Sequence, residues 1–325
     1  MILLTGANGL IGSYIARVLA QNGKQFKCLV RQGADLSLLS DIQSKLNIVQ
    51  GDILDILSLE KALEGVEVII HCAAIVSFGQ GLVDQMYKVN VEGTKNVVNE
   101  ALKYNIKKLV YISSVAAIGR GNKNSLITEK SQWVDNELNS EYAKTKYLAE
   151  LEVWRGIEEG LNAVMVNPSI VLGPGDWTKS STKIFKTVYD GLKFYPTGKV
   201  NVVDVRDVAR AVYLLMESEI KGQRFILSAY NLSYKSFLDK IAEAMQKPLP
   251  SIRLSKNLTL AGFYILKIIA PIYLKSRFIN KETILASNSD FNYSSEKIIK
   301  ALNFQFTPLD ETINWASNEL LKKQG

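Results

Sequence analysis

Apolar and polar positions along the chain fall into a repeating pattern. A short apolar run, Ile2 to Leu4, stops at Thr5-Gly6. Gly9 and Gly12 follow at spacings of three, and Ile11, Ile15, Val18 and Leu19 then share one helical face. The first stretch, MILLTGANGLIG, therefore predicts strand, glycine turn and helix. The pattern repeats, with strands over Phe26–Val30, Asn47–Gln50, Val66–His71, Lys108–Ile112 and Ala163–Val166. Between them come helices at Leu36–Ile42 and Leu57–Leu63, and a long one marked by Val83, Met86, Asn90, Val97, Val98 and Ala101. A further helix carries Tyr142 and Lys146. Regular alternation of this kind predicts an α/β fold: a Rossmann-type doubly wound parallel sheet with helices on both faces.

The alternation loosens from Asn231 onward. Phe237, Ile241, Ala244 and Met245 mark one amphipathic helix, and Phe304, Phe306, Leu309, Ile313 and Trp315 a closing helical element. Residues Leu258–Leu274 form the most apolar stretch. It is shorter than the ~20 residues a membrane span needs, and it contains Lys267 and Pro271. It reads as a lid or wall of a substrate pocket, with flanking basic residues leaving contact with an anionic bilayer open. The expected organisation is a dinucleotide-binding domain over 1–168, to which 201–216 returns as a strand and a helix. A smaller, mostly helical substrate-binding and lid part covers most of 169–325.

Composition narrows the class. With 325 residues, 47% hydrophobic and 22% charged, the chain is large enough for a substantial core and reads as globular. A formal charge of +7, without a dense basic run interleaved with aromatics, argues against nucleic acid as a partner. The two cysteines, Cys28 and Cys72, sit in apolar runs and read as buried free thiols. That fits a reducing cytoplasm. The first strand begins at residue 2, so no signal peptide is expected ahead of it. His71 is the single histidine, so a histidine-based metal site or a Ser-His-Asp triad has almost no material.

The glycine turn carries the first chemistry. Gly6 would allow the tight turn off the strand, Gly9 the approach of a pyrophosphate, and Gly12 the packing of the helix on the sheet. The helix N-terminus offers free N–H groups to phosphates. Arg31, just past the second strand, stands where an acidic residue would select the ribose of NAD. A basic one suits the 2′-phosphate of NADP, so NADP(H) is the expected cofactor and NAD(H) remains possible. Asp52 is placed to accept from an adenine amino group, and Asp55 to cap the next helix. Ala73 and Ala74 are small enough to let a cofactor pass. Tyr142 and Lys146 are four apart and share a helical face.

Together TGANGLIG, GDI at Gly51, HCAA at His71, SSV at Ser113 and YAKTK at Tyr142 resemble the extended short-chain dehydrogenase/reductase family, in order and spacing, over roughly the first two hundred residues. VDVRDVA from Val203 and the segment from Tyr293 to Trp315 are weaker echoes. The resemblance implies Tyr142 as general acid, with Lys146 lowering its pKa and holding the nicotinamide ribose, and Ser114 aligning the substrate oxygen. Ser114 is preferred to Ser113 because the second serine matches the family position and neighbouring strand residues face opposite ways. It further implies that Thr5, Gly6, Asn8, Gly9, Leu10, Ile11, Gly12, Arg31, Asp52, Ile53, Ala73, Ala74, Asn90, Tyr142, Lys146, Asn167, Pro168 and Ser169 form the cofactor site. For Asn90, a buried, satisfied amide is an equal reading.

Val115-Ala116 follow Ser114 where the family's dehydratases carry an Asp-Glu pair. The run from Asn167 to Gly175 is similar to the dihydroflavonol-reductase and 3β-hydroxysteroid-dehydrogenase branch. The expected activity is NADP(H)-dependent reduction of a ketone or aldehyde on a small, fairly apolar substrate, or the reverse. A sugar-nucleotide epimerase or isomerase with tightly bound cofactor, and a non-catalytic NADP-responsive binding protein, are the alternatives. A homodimer through the long helices follows from the resemblance alone.

Overall fold

The computed structural model describes residues 1–77, 80–119, 126–136, 139–179, 181–257, 259–260, 284–285 and 287–322. Strand β1 (Ile2–Thr5) is buried along its whole length and leads through the glycine turn into α1 (Leu10–Gln21). β2 (Phe26–Val30), β3 (Asn47–Gln50), α2 (Ile56–Leu63) and β4 (Val68–His71) follow. Asp55 caps α2, accepting from the Leu57 amide at 3.2 Å. Then come α3 (Gly93–Lys103), β5 (Lys108–Ile112), α4 (Glu141–Glu158) and β6 (Ala163–Pro168). The segment expected as a short helix after β2 is a 3₁₀ stretch over Ser37–Lys45.

The long helix expected from Val83 is not continuous. One helical turn, Val83–Met86, opens into a π-helical stretch, Tyr87–Glu92, before α3 begins. Such wide turns are frequent at functional sites. This one holds the buried amide of Asn90, which grips the backbone of Ile75 from both sides: its Oδ1 accepts from the Ile75 amide at 2.7 Å and its Nδ2 donates to the Ile75 carbonyl at 3.0 Å.

Four more strands and two helices complete the frame: β7 (Ile170–Leu172), β8 (Lys199–Asp204), α5 (Val205–Glu217), β9 (Gln223–Leu227), β10 (Tyr230–Ser233) and α6 (Tyr234–Ala244). The main sheet has seven parallel strands in the order β9-β6-β5-β4-β1-β2-β3. Its central strands are apolar on both sides, as a sheet covered on both faces requires. One face packs on α1 and α5, the other on α2, α3 and α4.

The segment 201–216 divides between two layers. Its helix, α5, does pack on the main sheet, but its strand, β8, belongs to a second sheet of order β10-β8-β7. The strand that joins the main sheet is β9, paired with β6 and unsignalled by the hydrophobic pattern. The VDVRDVA segment fastens the layers together. Asp204 caps α5 through the Arg206 amide and accepts from Thr312 at 2.8 Å, and Asp207 accepts from the amide and hydroxyl of Thr307. The C-terminal helix α7 (Leu309–Lys322) thereby brings Trp315 edge-on to Tyr14 of α1. Apart from Thr259 and Leu260, the apolar stretch 258–274 lies outside the described residues, as does most of the loop 119–125. No helix of the described residues is long and apolar enough to cross a membrane.

Candidate active site

A cleft of about 870 Å³ runs across the C-terminal ends of β1, β2, β4, β5 and β6, where an open parallel sheet binds its ligands. At its centre is the turn between β1 and α1. Gly6 has φ +69°, and a Cβ there would lie 2.6 Å from the Ala73 amide nitrogen. A Cβ on Gly12 would meet the Gly6 carbonyl oxygen at 2.1 Å, so Gly12 closes the turn on itself rather than on the sheet. Gly9 differs: a Cβ there would find no protein atom closer than 3.4 Å. Packing within the protein does not demand glycine at position 9, whereas a ligand passing over the turn would. Gly9 also starts α1 without a side-chain cap or an acidic residue in the first turn, leaving the helix N-terminus open to an anion.

Thr5, Gly6, Asn8, Gly9, Leu10, Ile11, Arg31, Asp52, Ile53, Ala73, Ala74, Ser114, Tyr142, Lys146, Pro168 and Ser169 all line this cleft. Gly12, Asn90 and Asn167 do not. Asn90 and Asn167 are fully buried and work behind the wall. The hydroxyl of Thr5 faces away into a network of its own, accepting from the Cys72 and Ala73 amides and bonding His71 Nδ1 at 2.7 Å. At the outer end Arg31 is exposed and has no ion pair among the described residues. The nearby Asp35 turns its carboxylate to the Ser37 amide at 2.9 Å, which holds it below the usual carboxylate range. Asp52 accepts from the Leu54 amide at 3.0 Å.

At the inner end, α4 presents Tyr142 and Lys146, and Ser114 follows β5. Ser140 caps α4, accepting from the Ala143 amide at 3.1 Å. The Ser114 hydroxyl accepts from the Ala116 amide and hydrogen-bonds Tyr142. Burial pushes the Tyr142 phenol up to about 12, and it is Ser114, not Lys146, that opposes this. The expectation that Lys146 lowers the tyrosine is not met in this arrangement. Lys146 is itself buried, which pulls its ammonium down to about 8, and it donates to the Tyr111 hydroxyl at 2.9 Å and the Ile112 carbonyl at 2.8 Å. Ser113 lines the cleft beside Ser114, so neighbouring positions past the strand end do not alternate cleanly between faces. The hydroxyls of Ser113 and Ser169 are buried without a hydrogen-bond partner among the described residues, an arrangement a polar ligand would relieve.

Behind these groups the hydrogen positions can be assigned. The Thr94 hydroxyl donates to the Asn90 carbonyl at 2.6 Å, so its oxygen accepts from His71 Nε2 at 3.1 Å. His71 Nδ1 then accepts from Thr5. Burial, then the charge of Lys146, pulls His71 down to about 3, so the single histidine is a neutral brace. Cys72 lines the cleft, its thiol pushed up to about 12 by burial.

Sequence reasoning missed Tyr111 and Glu150. Glu150 left a signal: it follows Lys146 by four on the buried face of α4, where a carboxylate is out of place unless paired. Tyr234, Lys179 and Ser287, which reach the cleft from distant parts of the chain, left none.

The open glycine turn and the two unpartnered hydroxyls fit a dinucleotide. Residues 2–232 match the model of the NAD dependent epimerase/dehydratase family. The chain belongs to that family and is an NAD(P)-dependent oxidoreductase. It is 28% identical over 303 residues to sterol demethylase protein B of Methylococcus capsulatus, covering 92% of this chain and 88% of the relative. It is 32% identical over 270 residues to tetraketide alpha-pyrone reductase 2 of Arabidopsis thaliana, covering 77% and 83%. Among solved structures, the crystal structure of gox2253 superposes with a TM-score of 0.86 at 29% identity, over 100% of this chain and 98% of that one.

Proposed function

We propose that this chain is an NADP(H)-dependent carbonyl reductase, or in reverse an alcohol dehydrogenase, acting on a small, fairly apolar substrate through Ser114, Tyr142 and Lys146. The observation that carries the reading is that Ser114, Tyr142 and Lys146, from the end of β5 and from α4, line one cleft together with the open glycine turn. The nicotinamide of a bound cofactor supplies or accepts the hydride. Tyr142, protonated across the ordinary pH range, delivers the proton to the substrate oxygen while Ser114 aligns that oxygen. Two of the three N–H donors of Lys146 are used by Tyr111 and Ile112, which leaves the third for the cofactor ribose.

Val76, Val89, Ile170 and Ile184 on the cleft wall favour an apolar substrate, as do the names of the two relatives. Arg31, with no ion pair among the described residues and placed where the cofactor ribose is read, favours the 2′-phosphate of NADP. Val115 and Ala116 after Ser114 carry no acid or base for eliminating water.

Cofactor choice is tested by titrating NADPH and NADH separately into the purified, cofactor-stripped protein and into Arg31→Ala. Tighter binding of NADPH, with the difference erased by the substitution, supports the reading. Equal or tighter binding of NADH overturns the NADP preference.

A further inference from the structure

Glu150 is 1% exposed, and its two carboxylate oxygens serve different partners. Oε1 accepts from Nδ2 of Asn167, and Oε2 from Nη1 of Arg224 at 3.0 Å. The same Nδ2 of Asn167 donates to the main-chain carbonyl of Ser114 at 3.0 Å. Arg224, on β9, also donates from Nε and Nη2 to the carbonyl of Glu129 (3.1 Å and 2.7 Å) and from Nη2 to that of Ser131 (3.1 Å), in the segment leading towards α4. One carboxylate thus joins α4, β6 and β9 to the main chain of Ser114.

A buried ion pair of this kind is a poor source of stability. Well-packed apolar residues of similar volume commonly do as well or better. Its position suggests another use. We propose that Glu150 is a positioning residue for the reaction: through Asn167 it fixes Ser114, and one turn further along the buried face of α4 it sets a carboxylate in support of Lys146. The inference rests on the functional reading above.

The groups facing Lys146 are Tyr111 from β5, His71 and Cys72 at the end of β4, and Tyr142 and Glu150 one turn either side on α4. Tyr111 is raised well above its ordinary value by burial, Tyr142 and Cys72 stand near 12, and His71 near 3. Of these groups Lys146, pulled down to about 8 by burial, is the one that titrates in the neutral-to-alkaline range; Cys72, and then Glu150, oppose that burial.

The test uses the full chain, with Glu150→Gln and with the double variant Glu150→Gln/Arg224→Gln. The double variant removes the guanidinium that the single one leaves unpaired. NADPH affinity is followed by fluorescence as a function of pH, and kcat and KM are measured for a reducible carbonyl compound. In the wild type, affinity weakens as pH rises through about 8. In the variants that midpoint moves to lower pH, and kcat falls by about tenfold or more at unchanged KM. A lowered melting temperature with midpoint and kcat both unmoved would overturn the proposal and leave Glu150 a purely structural residue. If the wild type binds NADPH but reduces no carbonyl, the functional reading fails, and the midpoint alone decides for or against Glu150.

Discussion

Lys146 donates to the hydroxyl of Tyr111 at 2.9 Å, deep in the wall behind the cleft. The phenol of Tyr111 is far too weak an acid to carry a charge there, so it serves as a neutral acceptor that fixes the lysine head group. Lys146 is therefore held by the protein before any ligand arrives, with one donor left over.

That arrangement sets a pH dependence. The buried ammonium of Lys146 is present below about 8 and lost above it, while Tyr142, near 12, keeps its proton throughout. We expect kcat/KM for carbonyl reduction to be level on the acid side of about 8 and to fall on the alkaline side. Lys146→Arg, which stays charged, should lose that limb even at a lower overall rate. A pH–rate profile of both proteins checks this.

His71 predicts a stability effect of the opposite sense. Its folded-state value, about 3, lies below the 6.5 of an exposed histidine. Between these values the unfolded chain binds more protons, so stability is lost as pH falls from 6.5 towards 3. The loss attributable to this group at pH ~4.5 is of order 2–3 kcal/mol. His71→Gln, which cannot titrate, should show a correspondingly shallower loss in urea denaturation between neutral and mildly acid pH. Parallel slopes for the two proteins would exclude His71 as the source.

The glycines of the turn separate folding from binding. Gly12→Ala drives a methyl group into the Gly6 carbonyl at 2.1 Å and should lower the melting temperature and abolish dinucleotide binding. Gly9→Ala meets nothing closer than 3.4 Å, so the melting temperature should hold while NADPH affinity falls. Thermal melts and fluorescence titrations of the two variants check this.

Much of this was legible in the chain because the main sheet is built from local strand–turn–helix units. Each strand of the nucleotide-binding half announces itself as an apolar run that ends in small or polar residues. β9 was not legible, because its partner β6 is distant in sequence and its run, Gln223–Leu227, opens on two polar residues and leaves only three apolar ones. The interrupted helix before α3 hid for a different reason: the apolar stripe runs across Asn90 unbroken, and only the tertiary bond to Ile75 explains the wide turn. The brace Tyr111 was invisible as a functional group because its partner Lys146 comes from a helix distant in sequence, and the buried position of Glu150 did not say that its partners, Asn167 and Arg224, lie on β6 and β9. Cleft-lining residues such as Tyr234 and Ser287 come from segments far along the chain, and nothing local marks them.

The central claim is that Tyr142 protonates a carbonyl oxygen in an NAD(P)H-dependent reduction. The most direct measurement is NADPH oxidation by the wild type and by Tyr142→Phe against a panel of apolar ketones and aldehydes, with NADPH affinity measured in parallel. The account predicts turnover by the wild type and a loss of ~10³-fold in the variant at unchanged NADPH affinity. Comparable turnover by the two proteins would contradict it.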